Sequence, residues 1–148
     1  MEFLNTEHLE NSEIKLVLKR TAEADPVRNW VPAYHFAICD KQGQTMGQCD
    51  LRIGYNDNLY YGGHIGYAVD AAYRGHHYAA KACTLLFDLA RRHGMDYLYI
   101  TCHPDNWPSR KTLELLKGTL VEIAELPEDN EMRIKTGATK TCVFRFDL

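Results

Sequence analysis

The sequence predicts an α+β fold: a mixed sheet with antiparallel strands in its N-terminal part and helices on its faces. Three observations carry that prediction. Up to Val69, apolar residues alternate in short runs separated by turn residues. From Tyr78 to His93 the apolar spacing changes to that of a helix. Another strand-like run, Asp96–Cys102, follows directly, so strand, helix and strand succeed one another as in a right-handed crossover with parallel pairing.

The elements follow in order. Residues 1–13 hold Glu2, Glu7, Glu10 and Glu13 without Lys or Arg, and read as a short helix or a loose acidic arm. Glu13–Arg20 alternates, with Ile14, Leu16 and Leu18 on one face, as a half-buried strand does. Asp25-Pro26 and Val31-Pro32 break the backbone around a short connector. Ala33–Asp40 and Thr45–Tyr55 form a hairpin across Lys41-Gln42-Gly43-Gln44, where Gly43 supplies the positive φ. Asn56-Asp57-Asn58 is a turn, and Tyr60–Val69 reads as a glycine-containing strand. The helix over Tyr78–His93 buries Ala79, Ala82, Cys83, Leu86, Leu89 and Ala90. Arg91, Arg92 and His93 suit its negative end, and Gly94 closes it. Pro108–Lys117 is a second helix, Thr119–Leu126 and Thr141–Leu148 are strands, and Pro127–Lys140 is a polar excursion.

The chain has 148 residues, which fits a single domain spanning 1–148 on the usual scale of roughly 100–200 residues each. Lys plus Arg is 17 and Asp plus Glu is 20, a net charge of −3, so the global basic field of a nucleic-acid binder is absent. No apolar run is long enough for a membrane span, and Met1–Leu9 lacks the basic start of a secretory signal. The five cysteines, Cys39, Cys49, Cys83, Cys102 and Cys142, are odd in number and have no CxxC spacing. They read as core thiols of a cytoplasmic protein, with no metal site expected.

The informative stretch is Val69–Ala80, VDAAYRGHHYAA. A strand ends, a turn holds Arg74-Gly75-His76-His77, and an amphipathic helix opens near Tyr78. A helix N-terminus offers unpaired amides and partial positive charge, which suits a phosphate or pyrophosphate. From Arg74 to His93, four basic residues stand against Asp88 alone.

Arg74-Gly75-His76-His77-Tyr78-Ala79 resembles the Arg/Gln-x-x-Gly-x-Gly/Ala loop of the GNAT superfamily of acyl-CoA-dependent N-acyltransferases. The likeness extends to Gly63-His64-Ile65-Gly66-Tyr67-Ala68-Val69 upstream and to Thr101-Cys102-His103-Pro104-Asp105-Asn106 and Ser109 downstream, covering roughly 38–118. It is nearest to bacterial predicted acetyltransferases with a Gly-Gly-His-Ile-Gly-Tyr strand. The resemblance implies a central pair of parallel, splayed strands with acetyl-CoA as co-substrate between them. Tyr67, Ala68 and Val69 would offer main-chain groups to the pantetheine arm, with an amide near Tyr67 or Ala68 as oxyanion donor. Arg74, Gly75, His76, His77, Tyr78 and Ala79 would hold the pyrophosphate, and Asn106 and Ser109 would lie beside the cofactor.

The chain departs from the family pattern twice. The central glycine of the loop is His77 here, and the tyrosine often serving as general acid is Leu113. Tyr99 or Tyr78 is then a substitute acid. His64 stands where many relatives carry a glutamate base, and His103, at a strand end, is the second candidate base. Arg52 and Tyr61 are expected in the acceptor site, with Tyr55, Tyr60 and the Pro127–Lys140 excursion around them. The expected function is N-acetyl transfer to a primary amine of a small molecule or peptide by direct attack in a ternary complex. The alternative is a non-catalytic acyl-CoA-binding or regulatory module. Neither nucleic acid nor membrane is expected as a partner, and relatives' habits allow a homodimer.

Overall fold

A computed structural model describes residues 1–148. Seven strands and four helices follow one another as β1 (Ile14–Ala22), β2 (Ala33–Asp40), β3 (Thr45–Arg52), α1 (Asp57–Gly62), β4 (Ile65–Val69), α2 (Tyr78–Arg92), β5 (Tyr97–Cys102), α3 (Trp107–Leu115), β6 (Thr119–Glu125), α4 (Glu131–Thr136) and β7 (Lys140–Asp147). A single 3-10 turn, Ala71–Tyr73, lies between β4 and α2.

The mixed α+β class holds, and the strands divide into two sheets. One is antiparallel with order β1-β2-β3-β4, and the other has order β5-β7-β6 with β7 antiparallel to both neighbours. The break falls between β4 and β5, the strands flanking the α2 crossover. A continuous ladder between them is replaced by contact at one point, where His64 N–H donates to the Tyr99 carbonyl at 2.7 Å. The pair is therefore splayed, and a cleft opens along β4.

The core is where alternation and helical period meet. Leu16, Tyr34, Phe36, Ile38, Cys49 and Leu51 share one face of the four-stranded sheet and pack on Ala82, Cys83, Leu86, Leu89 and Ala90 of α2. Each fully buried Leu contributes on the order of 2 kcal/mol of transfer free energy. Leu98, Ile100, Phe144 and Phe146 extend the same core under the second sheet. The opposite face of the first sheet carries His35, Ala37, Gln48, Asp50, Gly66 and Ala68. No helix of the chain is long and apolar enough to cross a membrane.

Two expectations change. Asn56–Gly62 is a capped helix rather than a turn followed by a strand. The Asn56 side chain accepts the Leu59 N–H at 3.0 Å, Asp57 lies in the first turn, and β4 begins only at Ile65. The polar excursion contains α4, capped by Asn130, which accepts from Met132 and Arg133 N–H.

Candidate active site

Strand β4 sets the geometry of the cleft. Its pairing with β3 is bounded by Arg52 N–H to the His64 carbonyl at 2.8 Å and Asp70 N–H to the Met46 carbonyl at 2.8 Å. In an antiparallel ladder the bonds alternate, so the even positions of β4 face β3. Ile65, Tyr67 and Val69 therefore turn their N–H and C=O groups away from β3, toward the splay. Apart from the Val69 carbonyl, which takes the Arg74 Nε, this edge has no partner within the chain and is able to hydrogen-bond an extended ligand as an added strand would.

The loop after β4 ends in a helix start. None of the N–H groups of Gly75 to Ala80 has an acceptor within the chain, and the first amide of the helix to find one is Lys81, on the His77 carbonyl at 3.0 Å. Gly75 has φ +91° with open space around its α-carbon. His77, at the position of the family's glycine, is the N-cap of α2 and takes the left-handed conformation itself, φ 61° and ψ 26°. Its side chain is exposed and makes no capping bond, so the loop keeps the shape that a glycine gives it. The Arg74 Nε donates to the Val69 carbonyl at 3.0 Å, tying the loop to the end of β4. Lys81 braces it from below, bonding the His76 carbonyl at 3.2 Å and pairing with Glu13. The His76 and Tyr78 rings lie 5.3 Å apart on the outer side, and Ala79 is half-buried in the first turn.

The start of α3 closes the other side of the cleft. Asn106 is its N-cap, accepting the Ser109 N–H at 3.2 Å. The Ser109 hydroxyl lies 2.6 Å from the Tyr67 hydroxyl, linking α3 to β4. Burial pushes the Tyr67 phenol up to about 12, so it stays protonated. Tyr67 and Val69 thus lead into the loop and the start of α2, and Tyr67 touches Ser109 of α3, whereas Ala68, an even position of β4, turns its main-chain groups to β3 and does not offer them to the splay as expected.

The two predicted bases fare differently from expectation. His64 is fully buried. Its Nδ1 accepts the Tyr99 N–H at 3.0 Å, so Nε2 carries the proton and donates to the Gly54 carbonyl at 2.8 Å. Burial lowers its pKa and keeps it neutral. With no free lone pair and no solvent access, the imidazole is a cross-link between β4, β5 and the 53–56 loop. His103 stands half-exposed at the end of β5, its Nδ1 accepting the Asp105 N–H at 3.1 Å; the neutral ring then holds its proton on Nε2. Among the substitute acids, Tyr99 packs edge-to-face against Tyr60 and Tyr97. Leu113 is core. Burial raises the Cys102 thiol to about 11, which suits a packing residue rather than a nucleophile.

Arg52 and Tyr61 line a cavity of about 1500 Å³ between the β1–β2 connector, α1 and the segment 127–132, with Arg28, Trp30, Asn56 and Tyr60 around them. Tyr60 donates to Glu122 at 2.5 Å, which fastens α1 to β6, and burial raises its phenol to about 12. The cavity continues past Arg20 and His35 into an open trough of about 600 Å³ across the first sheet, which reaches Gly66, Tyr67 and Ala68.

The residue that sequence reading overlooked is Asp50, in this trough. Arg52 Nη1 donates to its Oδ1 at 2.7 Å, and so does the Gly66 N–H at 3.2 Å. Its partner is the Arg52 expected to bind an acceptor carboxylate, so that guanidinium is in part committed within the chain. The signal was the Asp50-x-Arg52 spacing, which places both side chains on one face of a strand. The register that sets them beside Gly66 is tertiary.

The family described as acetyltransferase (GNAT) domain matches residues 1–118. No curated protein sequence matches the chain. Among solved structures, the ribosomal-protein-S5-alanine acetyltransferase from Vibrio fischeri superposes with a TM-score of 0.62 at 19% identity, over 78% of this chain and 61% of that one. The microcin C7 self-immunity acetyltransferase, in complex with acetyl-CoA and AMP, gives 0.62 at 20% identity over the same shares, 78% and 61%. A ribosomal L7/L12 alpha-N-protein acetyltransferase in complex with coenzyme A gives 0.61 at 20% identity, over 82% and 64%. The chain thus spans about three fifths of the length of the first of these structures, and at such identities the likeness is one of fold.

Proposed function

Since the chain belongs to the GNAT acetyltransferase family, we propose that it transfers the acetyl group of acetyl-CoA to a primary amine of a small molecule or peptide, by direct attack in a ternary complex. The observation that carries this is that two sets of main-chain groups without partners in the chain, the Val69 carbonyl excepted, lie next to each other. The amides of Gly75 to Ala80 open the α2 dipole to an anion, and the odd-numbered edge of β4 faces the splay.

In this reading the diphosphate is held by the loop amides from Gly75 to Ala79, with Arg74 anchoring the loop. The pantetheine arm lies along Tyr67 and Val69, forming main-chain hydrogen bonds. The Tyr67 N–H then donates to the thioester carbonyl, where negative charge grows as the amine attacks. Asn106 and Ser109 flank the sulfur side of the cleft. The acceptor enters through the cavity walled by Trp30, Tyr60 and Tyr61 and crosses the trough toward Tyr67. The run Gly62 to Tyr67 supports a likeness to bacterial acetyltransferases with a Gly-Gly-His-Ile-Gly-Tyr segment, with His64 fixing the mouth of the splay rather than moving a proton. Five free, buried cysteines fit a cytoplasmic setting.

The test is thiol release from acetyl-CoA over a panel of alkylamines, L-alaninamide and unblocked peptides, with calorimetry on acetyl-CoA alone. Binding together with amine-dependent thiol release is expected. Binding with no release by any amine would instead favour the non-catalytic module, and no binding at millimolar coenzyme would overturn both.

A further inference from the structure

Taking acetyl transfer at the β4 cleft as given, we propose that Asp50 is the proton acceptor for the attacking amine. The two imidazoles expected as bases have their acceptor nitrogen bonded to a main-chain N–H, His64 to Tyr99 and His103 to Asp105. Asp50 is arranged the other way. Its Oδ1 takes both anchoring bonds, from Arg52 and from the Gly66 N–H, which fixes the carboxylate and leaves Oδ2 without a hydrogen-bond partner.

The free oxygen is aimed at β4. A side chain at Gly66 would place its Cβ 3.1 Å from Oδ2 and 3.3 Å from Oδ1, so the carboxylate occupies the space that the missing side chain leaves. Gly66 is therefore the low point of the wall between the open trough and the splay. The next peptide unit carries the Tyr67 N–H that faces the thioester. An amine crossing from the trough passes the free carboxylate oxygen immediately before it meets the carbonyl carbon. The charged groups around Asp50 are Arg52 on β3, His35 opposite it on β2, and Lys19 and Arg20 on β1; β4 contributes only Gly66 and Ala68 to this face. Asp50 is the one acidic side chain of the trough, standing against Lys19 and Arg20.

The ammonium nitrogen gives one proton to Asp50 Oδ2, and its freed lone pair forms the C–N bond at the thioester carbon. The C–S bond breaks, the sulfur leaves as thiolate, and the second proton lost by nitrogen goes to that thiolate. Asp50 then returns its proton to the solvent of the trough.

Asp50→Asn tests this without emptying the site, because the amide oxygen still accepts the Gly66 N–H. Two nucleophiles are compared at pH 7: the fastest alkylamine of the panel, which is an ammonium ion there, and hydroxylamine, which is already neutral. The alkylamine reaction should lose about 100-fold or more in kcat, as expected for removal of a general base. The hydroxylamine reaction and the acetyl-CoA Kd should stay near wild type. The alkylamine deficit should also shrink as pH rises toward the amine's own pKa, about 10 for a lysine-like group. Equal losses with both nucleophiles, or no loss with either, would overturn the assignment while leaving wild-type transfer intact; absence of acetyl-CoA binding by the wild type would instead overturn the transfer reading.

Discussion

Replacing His64 with Ala gives the sharpest division between a structural and a catalytic imidazole. The ring satisfies two main-chain groups, the Tyr99 N–H and the Gly54 carbonyl, at a position without solvent access. Each buried group left unsatisfied costs about 1–3 kcal/mol, so the pair costs about 2–6 kcal/mol before any cavity is counted. At roughly 2–4 °C per kcal/mol for a domain near this size, Tm should fall by on the order of 10 °C. The ring also packs 5.3 Å from Tyr55, so the cavity increases the loss. The assay is thermal unfolding followed by near-UV circular dichroism, with turnover measured well below the transition. A large drop in Tm with turnover falling only as far as the cleft is distorted is expected. A Tm within about 2 °C of wild type, combined with collapsed turnover, would refute the cross-link and restore His64 as the base.

Stability should also decline in mild acid. Burial lowers the pKa of His35, His64 and His93 in the folded chain, so below the ordinary value near 6.5 the unfolded state binds more protons than the native state. The contribution is fully present above about pH 6.5 and is lost as pH falls toward the folded-state values, by up to about 1.4 kcal/mol per pH unit for the fully buried His64; urea melts giving equal stability at pH 5 and pH 7 would contradict this. His77→Gly should raise stability by about 1 kcal/mol or slightly less, since a left-handed non-glycine residue costs about 1–2 kcal/mol, part of which glycine returns as chain entropy. A destabilised variant in denaturant melts would show that the His77 side chain makes a compensating contact. Gly47→Ala should be harmful, because its Cβ falls on the Ala68 carbonyl of β4 with no flexible group to yield. A loss of about 1–3 kcal/mol or more is expected, together with weaker acetyl-CoA binding as β4 shifts; a wild-type melt and wild-type Kd would contradict it.

Much of this architecture is legible in the chain because local and tertiary preferences agree. The buried Ile14 and Leu16 alternate with exposed neighbours at the start of β1, β2 is buried on both faces and reads as a near-continuous apolar run, and α2 carries its buried stripe in the sequence period itself. The loop before α2 is legible in Arg74-Gly75 and the helix start that follows. Helix α1 was hidden because Tyr60 and Tyr61 have strand preference, and only the Asn56 cap and the packing of Tyr60 onto Glu122 and Tyr99 decide otherwise. The division into two sheets depends on His64 filling the gap beside β5, which no spacing reveals. The role of each histidine likewise depends on which nitrogen is occupied, a matter of hydrogen-bond partners rather than residue type. Asp50 carried no motif; its meaning comes from the absence of a side chain at Gly66.

The central claim concerns where the coenzyme sits, and amide-resolved NMR during a titration with coenzyme A addresses it most directly. Shifts concentrated at 74–80, with further changes at Tyr67, Val69 and Ser109, are the expected result. An unperturbed helix start at millimolar coenzyme, or shifts confined to another face of the molecule, would contradict the account.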